Sequence, residues 1–140
     1  MSVTSEATAT WSGTLFEGSG SVTPASGIGT FPVNWKARSE GAASTTTPEE
    51  LIAAAHSSCF NMALSNALAE AGTPAEQVRT TASVTFVPGT GVTGSHLNVA
   101  ARVPGLTEEK FEEIAEAAKA GCPISQALAG IDITIEATLN

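Results

Sequence analysis

The stretch that most constrains this chain is residues 47–72, TPEELIAAAHSSCFNMALSNALAEAG. It opens on a helix-start signature and closes on a glycine. Thr47 is placed to cap the first turn, and Pro48 suits the first helical position, where no amide hydrogen is needed. Glu50, three residues after Thr47, completes a capping box. Gly72 supplies the stop. Leu51, Ala55, Cys59 and Met62 fall on one stripe, while Phe60, Leu64, Ala67 and Leu68 carry apolar surface further round the cylinder. A buried central helix is therefore expected, with little of its middle facing water. Ala53, Ala54, Ala55, Ser57 and Ser58 are small enough to let another helix backbone approach closely.

Around this helix the chain reads as strands and shorter helices. ATATWSGTL, residues 7–15, is Thr-rich with a Trp and reads as a strand, with GSGSV at 18–22 as its hairpin return. Residues 24–29 are turn chemistry. FPVNWKARS, residues 31–39, is expected to be extended, because Pro32 disfavours helix at Phe31. Beyond Gly72, Ala82, Val84 and Phe86 alternate with Thr81, Ser83 and Thr85 in a strand over 79–87. A turn at 88–91 leads to a returning strand with Leu97, Val99, Ala101 and Val103 on one face.

Thr107 then caps a second helix, with Glu108 and Glu109 in its first turn and Phe111, Ile114, Ala115 and Ala118 as its buried stripe. Gly121 ends it. Cys122 and Pro123 open a short helix through Ala129, and Ile131, Ile133 and Ile135 alternate in a closing strand. The class is α+β, with no internal repeat.

Length and charge narrow the function. A chain of 140 residues with 42% hydrophobic content fits one domain over 1–140 that buries its own core. Fourteen acids against six bases give a net charge of −8, which repels phosphate backbones and anionic membranes, so neither nucleic acid nor a membrane is expected as a partner. The first residues lack a basic start and an apolar core of signal-peptide length, and the longest apolar run is 51–55. A cytoplasmic location is expected. In that compartment two cysteines are reactive or merely buried rather than a structural staple.

Cys122 lies at or beside a helix N-terminus, where backbone amides stabilise a thiolate; the bland alternative is a small residue that happens to precede a proline. For Cys59, on an apolar helix face, inert filling is the stronger reading from the residues alone, because apolar burial raises a thiol pKa. A positive charge is needed to activate it.

The segments TPEELIAAAHSSCFNMAL and GCPISQAL, with the arginine of WKARSEG, resemble the osmotically inducible protein C and organic hydroperoxide resistance family of thiol peroxidases. The resemblance spans nearly the whole chain. It implies antiparallel sheets wrapped around central buried helices in an intertwined homodimer, and a two-cysteine reduction of organic hydroperoxides, with hydrogen peroxide a poorer substrate. Carried over by position, Cys59 is the peroxidatic cysteine and Cys122 the resolving one, joined in a disulfide after oxygen transfer. Arg38 and Glu49 assist, Arg38 being placed as in the osmotically inducible branch. Glu50 competes for the acidic role, but it suits the cap, and Glu49 directly follows the proline as the family pattern requires. The family implies no bound cofactor or metal, and a dithiol reductant such as a dihydrolipoyl protein.

The chemistry needs these residue types. The thiolate attacks the peroxide oxygen, a guanidinium beside the sulfur favours the thiolate and stabilises the departing alkoxide, and a carboxylate fixes the guanidinium fork. Without the resemblance Arg38 reads as a solvated surface arginine. On a continuous helix Glu49 and Cys59 lie about 15 Å apart along the axis, too far to share one site. If both act together, Glu49 must serve the Cys59 of a second copy, which predicts an obligate dimer with two composite sites.

Phe31, Trp35, Phe60 and Met62 are candidates for an apolar pocket, with core packing the alternative for each and the better one for Met62. A rival reading makes the protein a non-catalytic module that binds a small ligand or a metal. His56 and Cys59 at i, i+3, with Cys122 and His96, would be the ligands, against His56 as a hydrogen-bonded core residue.

Overall fold

The computed structural model describes residues 1–140, which form six strands and four helices in two compact units, Met1–Leu51 and Ile52–Asn140.

In the first unit, β1 (Ala7–Ser12), β2 (Ser19–Pro24) and β3 (Phe31–Val33) make an antiparallel sheet in the order β1-β2-β3. Gly20 lies opposite Trp11, and a Cβ there would meet the indole ring at 2.7 Å, so this strand position needs glycine. β1 ends at Ser12 rather than 15, where residues 15–17 turn the chain.

The extended reading of 31–39 fails after Val33. Trp35–Glu40 is a helix, α1, because the Asn34 side chain accepts from the Ala37 amide at 2.8 Å and caps it. Pro32 constrains only the residue before it. The long helix α2 (Pro48–Glu70) begins in this unit. The Glu50 amide donates to Thr47 Oγ1 at 2.9 Å, while the Glu50 carboxylate accepts from the Thr46 hydroxyl at 2.6 Å instead of closing the box on Thr47.

The second unit holds the body of α2. Past its end, Thr73 N–H bonds Leu68 C=O and Gly72 N–H bonds Ala69 C=O, both with Gly72 at φ 83°, the left-handed stop that glycine supplies. β4 (Gln77–Val87) and β5 (Gly91–Arg102) form an antiparallel hairpin with a bulge at Thr85/Phe86. α3 (Glu108–Gly121), capped by Thr107, and α4 (Pro123–Ala127) then lead to β6 (Asp132–Leu139). α4 is two residues shorter than expected from sequence, ending at Ala127 instead of Ala129.

β6 lies beside β5 in the order β4-β5-β6 and runs parallel to it. The α+β class holds, but this second sheet is mixed, not antiparallel throughout. Two helices separate β5 from β6, and a crossover of that length returns the chain in the same direction.

The core of this unit joins Phe60, Leu64 and Leu68 of α2 to Leu97, Val99 and Ala101 of β5, and to Phe111, Ile114, Ala115 and Ala118 of α3. Each large apolar side chain buried here contributes about 1.5–3 kcal/mol. The α3 stripe and the apolar face of β5 are as the sequence pattern predicts.

The expectation for α2 needs correcting. Its buried row is His56, Phe60, Leu64 and Leu68, whereas Leu51, Ala55 and Met62 are exposed, Met62 by 74%. Within one chain the helix packs by a single face. No helix is long and apolar enough to cross a membrane.

Candidate active site

The four residues singled out from sequence fall into two pairs. In the first unit, Arg38 at the end of α1 meets Glu49 in the first turn of α2, with Nε to Oε1 at 2.7 Å. Glu49 is buried and Arg38 is about one-third exposed, its side chain 34% accessible against 6% for Glu49. The other carboxylate oxygen, Oε2, is buried with no hydrogen-bond partner in the chain. The Glu50 amide bonds Thr47 and its carboxylate bonds Thr46, while the carboxylate that meets Arg38 is that of Glu49.

Beside this ion pair is a cavity of about 400 Å³ lined by Trp11, Leu15, Val33, Asn34, Trp35, Arg38 and Pro48. Of the side chains expected to form an apolar pocket, Trp35 does so here. Phe31 borders a different hollow, Phe60 is wholly within the second unit's core, and Met62 is exposed on α2. Trp11 and Leu15 were not predicted as pocket residues, because a Trp in a strand and a Leu beside a turn carry no signal of what they line.

In the second unit, Cys59 on α2 and Cys122 between α3 and α4 are both free thiols, and Cys59 packs against the buried cluster that holds Cys122. Burial pushes the Cys59 thiol up, against a lowering hydrogen bond from the Ile124 amide; the neighbouring Cys122 raises it further. Burial would also raise Cys122. The Ser125 amide, the Cys59 thiol, the Ser125 hydroxyl and the Ile124 amide together outweigh that, and Cys122 lies below the usual thiol range. The two thiols are thus pushed in opposite directions, Cys59 up and Cys122 down.

His56 is fully buried, with Nδ1 2.7 Å from Ser95 Oγ and Nε2 2.8 Å from Ser125 Oγ. Burial lowers its pKa from 6.5, so the ring is neutral at pH 7. Both ring nitrogens are committed to serines. His96, one residue along β5 from Ser95, faces the other side of the sheet and bonds Thr134 at 2.6 Å. The four candidate metal ligands are thus divided, and no group of three such side chains gathers anywhere in the chain. Sequence reasoning missed Ser95 and Ser125, although the alternation that buries Leu97, Val99 and Ala101 also places Ser95 inside.

Residues 41–136, which take in Glu49 and both cysteines, match the family model described as OsmC-like protein. The chain belongs to the OsmC-like family. It is 39% identical over 144 aligned residues to Peroxiredoxin OsmC of Escherichia coli (strain K12), covering 100% of this chain and 99% of that protein.

Among solved OsmC-like structures, an organic hydroperoxide resistance protein from Elizabethkingia anophelis is 30% identical, with a TM-score of 0.75, over 100% of this chain and 99% of the other. The organic hydroperoxide resistance protein OhrB of Bacillus subtilis is 26% identical, with a TM-score of 0.69, over 97% and 98% of the two chains.

Proposed function

We propose that this OsmC-like protein is a cysteine-based peroxidase that reduces organic hydroperoxides to alcohols in defence against oxidative stress. The observation that carries the reading is that Cys59 packs against the same buried cluster that holds Cys122, so two free thiols are neighbours in one core and influence each other's ionisation. The relative named a peroxiredoxin, similar over its full length, supports the same class of activity.

The Cys59 thiolate attacks the distal peroxide oxygen. The O–O bond breaks, the alkoxide leaves and takes up a proton, and Cys59 becomes a sulfenic acid. Cys122 then attacks the Cys59 sulfur, the S–O bond breaks, hydroxide leaves as water, and a disulfide joins the two residues. A dithiol reopens it.

Burial pushes the Cys59 thiol up, so its activation needs an added cation. Arg38, fixed by Glu49, is the proposed source, supplied by a second copy of the chain in a homodimer with composite sites. Three features support this. Glu49 and Cys59 stand ten positions apart on an uninterrupted helix; Glu49 Oε2 is a buried acceptor with no partner in its own chain; and Ala54, Ala55, Ser58 and Met62 leave one side of α2 exposed. The cavity beside Arg38, walled by Trp11, Leu15 and Trp35, suits an alkyl group and favours organic hydroperoxides over hydrogen peroxide.

Free thiols and intact mass, before and after one equivalent of cumene hydroperoxide, test the reading. Wild type is expected to lose both thiols to one internal disulfide, Cys122→Ser to trap an oxidised Cys59, and Cys59→Ser to stay reduced. Survival of both thiols in wild type rejects it. A monomer with full turnover at low micromolar concentration rejects the composite site alone.

A further inference from the structure

The His56 cluster lies outside the reaction as described, yet it reaches the short helix that Cys122 opens. Ser95, His56 and Ser125 come from β5, α2 and α4, all three side chains are buried, and Ser125 lies in the first turn of the helix whose N-cap is Cys122. An apolar side chain could fill the same space without the cost of placing three polar groups in a core.

A neutral imidazole carries one N–H and one acceptor nitrogen, so the chain of bonds has a direction. If Nε2 holds the proton, it donates to Ser125 Oγ, Ser95 donates to Nδ1, and the Ser125 proton is left free to point at the sulfur. The opposite sense, with Nδ1–H to Ser95 and Ser125 O–H to Nε2, withdraws that proton from Cys122.

We propose that His56 is a positioning residue for Cys122: its Nε2–H occupies the Ser125 oxygen, so the Ser125 hydroxyl donates to the Cys122 sulfur and holds it ready as the resolving thiolate. The role in resolution rests on the peroxidase reading above; the hydrogen-bond direction does not. Burial pushes the Cys122 thiol up and the groups at the head of α4, the Ser125 hydroxyl among them, bring it down. In this arrangement His56 decides where the Ser125 dipole points.

In the resolving step Cys122 gives its electron pair to the Cys59 sulfur of the sulfenic acid. The S–S bond forms, the S–O bond breaks, and the hydroxide takes up the proton that Cys122 lost on ionising. Cys122 is oxidised and Cys59 reduced.

The test titrates Cys122 by its ultraviolet thiolate absorbance in a Cys59→Ser background. His56→Leu and Ser125→Ala are each expected to raise the midpoint by about one pH unit, leaving about tenfold less thiolate below it. His56→Gln, which keeps an N–H toward Ser125, is expected to restore most of the shift, and a purely packing role would not distinguish Gln from Leu in this way. If His56→Leu does not fold, Ser125→Ala against Ser125→Thr, which keeps the hydroxyl, makes the same comparison.

Midpoints that coincide across these variants overturn the inference. With Cys59 restored, single-turnover stopped flow should show disulfide formation slowed about tenfold in Ser125→Ala. Failure of wild type to form the disulfide rejects the peroxidase reading, while the titration still decides the role of His56.

Discussion

The two units handle their apolar side chains in opposite ways. In Ile52–Asn140, helix α2, helix α3 and the mixed sheet enclose Phe60, Leu64, Leu97 and Phe111 completely. In Met1–Leu51 the buried residues are Ala37 and Glu49, one too small to make a core and the other a carboxylate, while Trp11, Leu15, Phe16 and Ile28 are exposed. The second unit holds itself together. The first leaves its apolar groups exposed, and its ion pair has one buried oxygen without a partner in the chain. A segment with a closed core and a segment with exposed apolar groups have different sequence demands and should respond differently to the same kind of substitution.

The largest expected contrast concerns chemistry. Cys59→Ser should lower hydroperoxide turnover by at least about a thousandfold, because no other thiol occupies its position, and a coupled peroxidase assay reads it. Turnover within about tenfold of wild type would place the chemistry elsewhere. Next comes packing: Phe60→Ala should cost about 3–5 kcal/mol in denaturant unfolding, whereas Trp11→Ala at the exposed ring should cost under about 1 kcal/mol. Equal losses would erase the contrast between the units.

Arg38→Ala should lower turnover about a hundredfold while the thiol count stays at two, separating activation of the sulfur from its presence. A smaller effect is expected from Trp11→Ala on substrate choice, a rise in KM for cumene hydroperoxide without a matching rise for hydrogen peroxide; equal changes for both would remove the cavity from the argument.

The smallest is a slope with pH. His56 has a folded pKa below its unfolded value of 6.5, so the unfolded chain binds the extra proton first as the medium is acidified. Its contribution to stability is present above pH 6.5 and lost as the pH falls from there through the folded pKa, and His56→Gln should flatten that part of the curve in chemical denaturation.

Local signals were legible in the sequence and remote ones were not. Thr47, Pro48 and Glu50 announce the start of α2 within four residues, and Thr107 with Phe111, Ile114, Ala115 and Ala118 announces α3 and its inner face. The helix at Trp35–Glu40 depends on Asn34 as a cap, a signal masked by the neighbouring Pro32. The parallel pairing of β6 is set by two intervening helices, and no residue within the strand encodes it.

For the same reason the apolar residues spread round α2 suggest a helix buried on all sides and do not single out the one face that packs. The true buried row contains His56, and a histidine becomes a core residue only when Ser95 and Ser125, 39 and 69 positions away, come to meet it. Both cysteines, Arg38 and Glu49 are singled out in the sequence only by their segments' resemblance to a family, and the structure brings Arg38 to Glu49. Ser95 and Ser125 are not, because their relevance lies in their contact with His56 alone.

The parallel register of β6 also bears on the order in which the molecule is made. Gly94 pairs with Asp132, a separation of 132 − 94 = 38 residues, while β4 and β5 close through a tight turn. Long loops close late because their chain entropy is lost before any contact repays it. The β4–β5 hairpin is therefore expected to form first and β6 to dock last, once α3 and α4 exist. The segment that carries Cys122 lies inside that late-closing loop, so a nascent chain would keep its two thiols apart until the rest of the second unit has folded. Pulse-labelled hydrogen exchange during refolding would show this as protection of β4 and β5 amides ahead of β6, and simultaneous protection of all three strands would refute it.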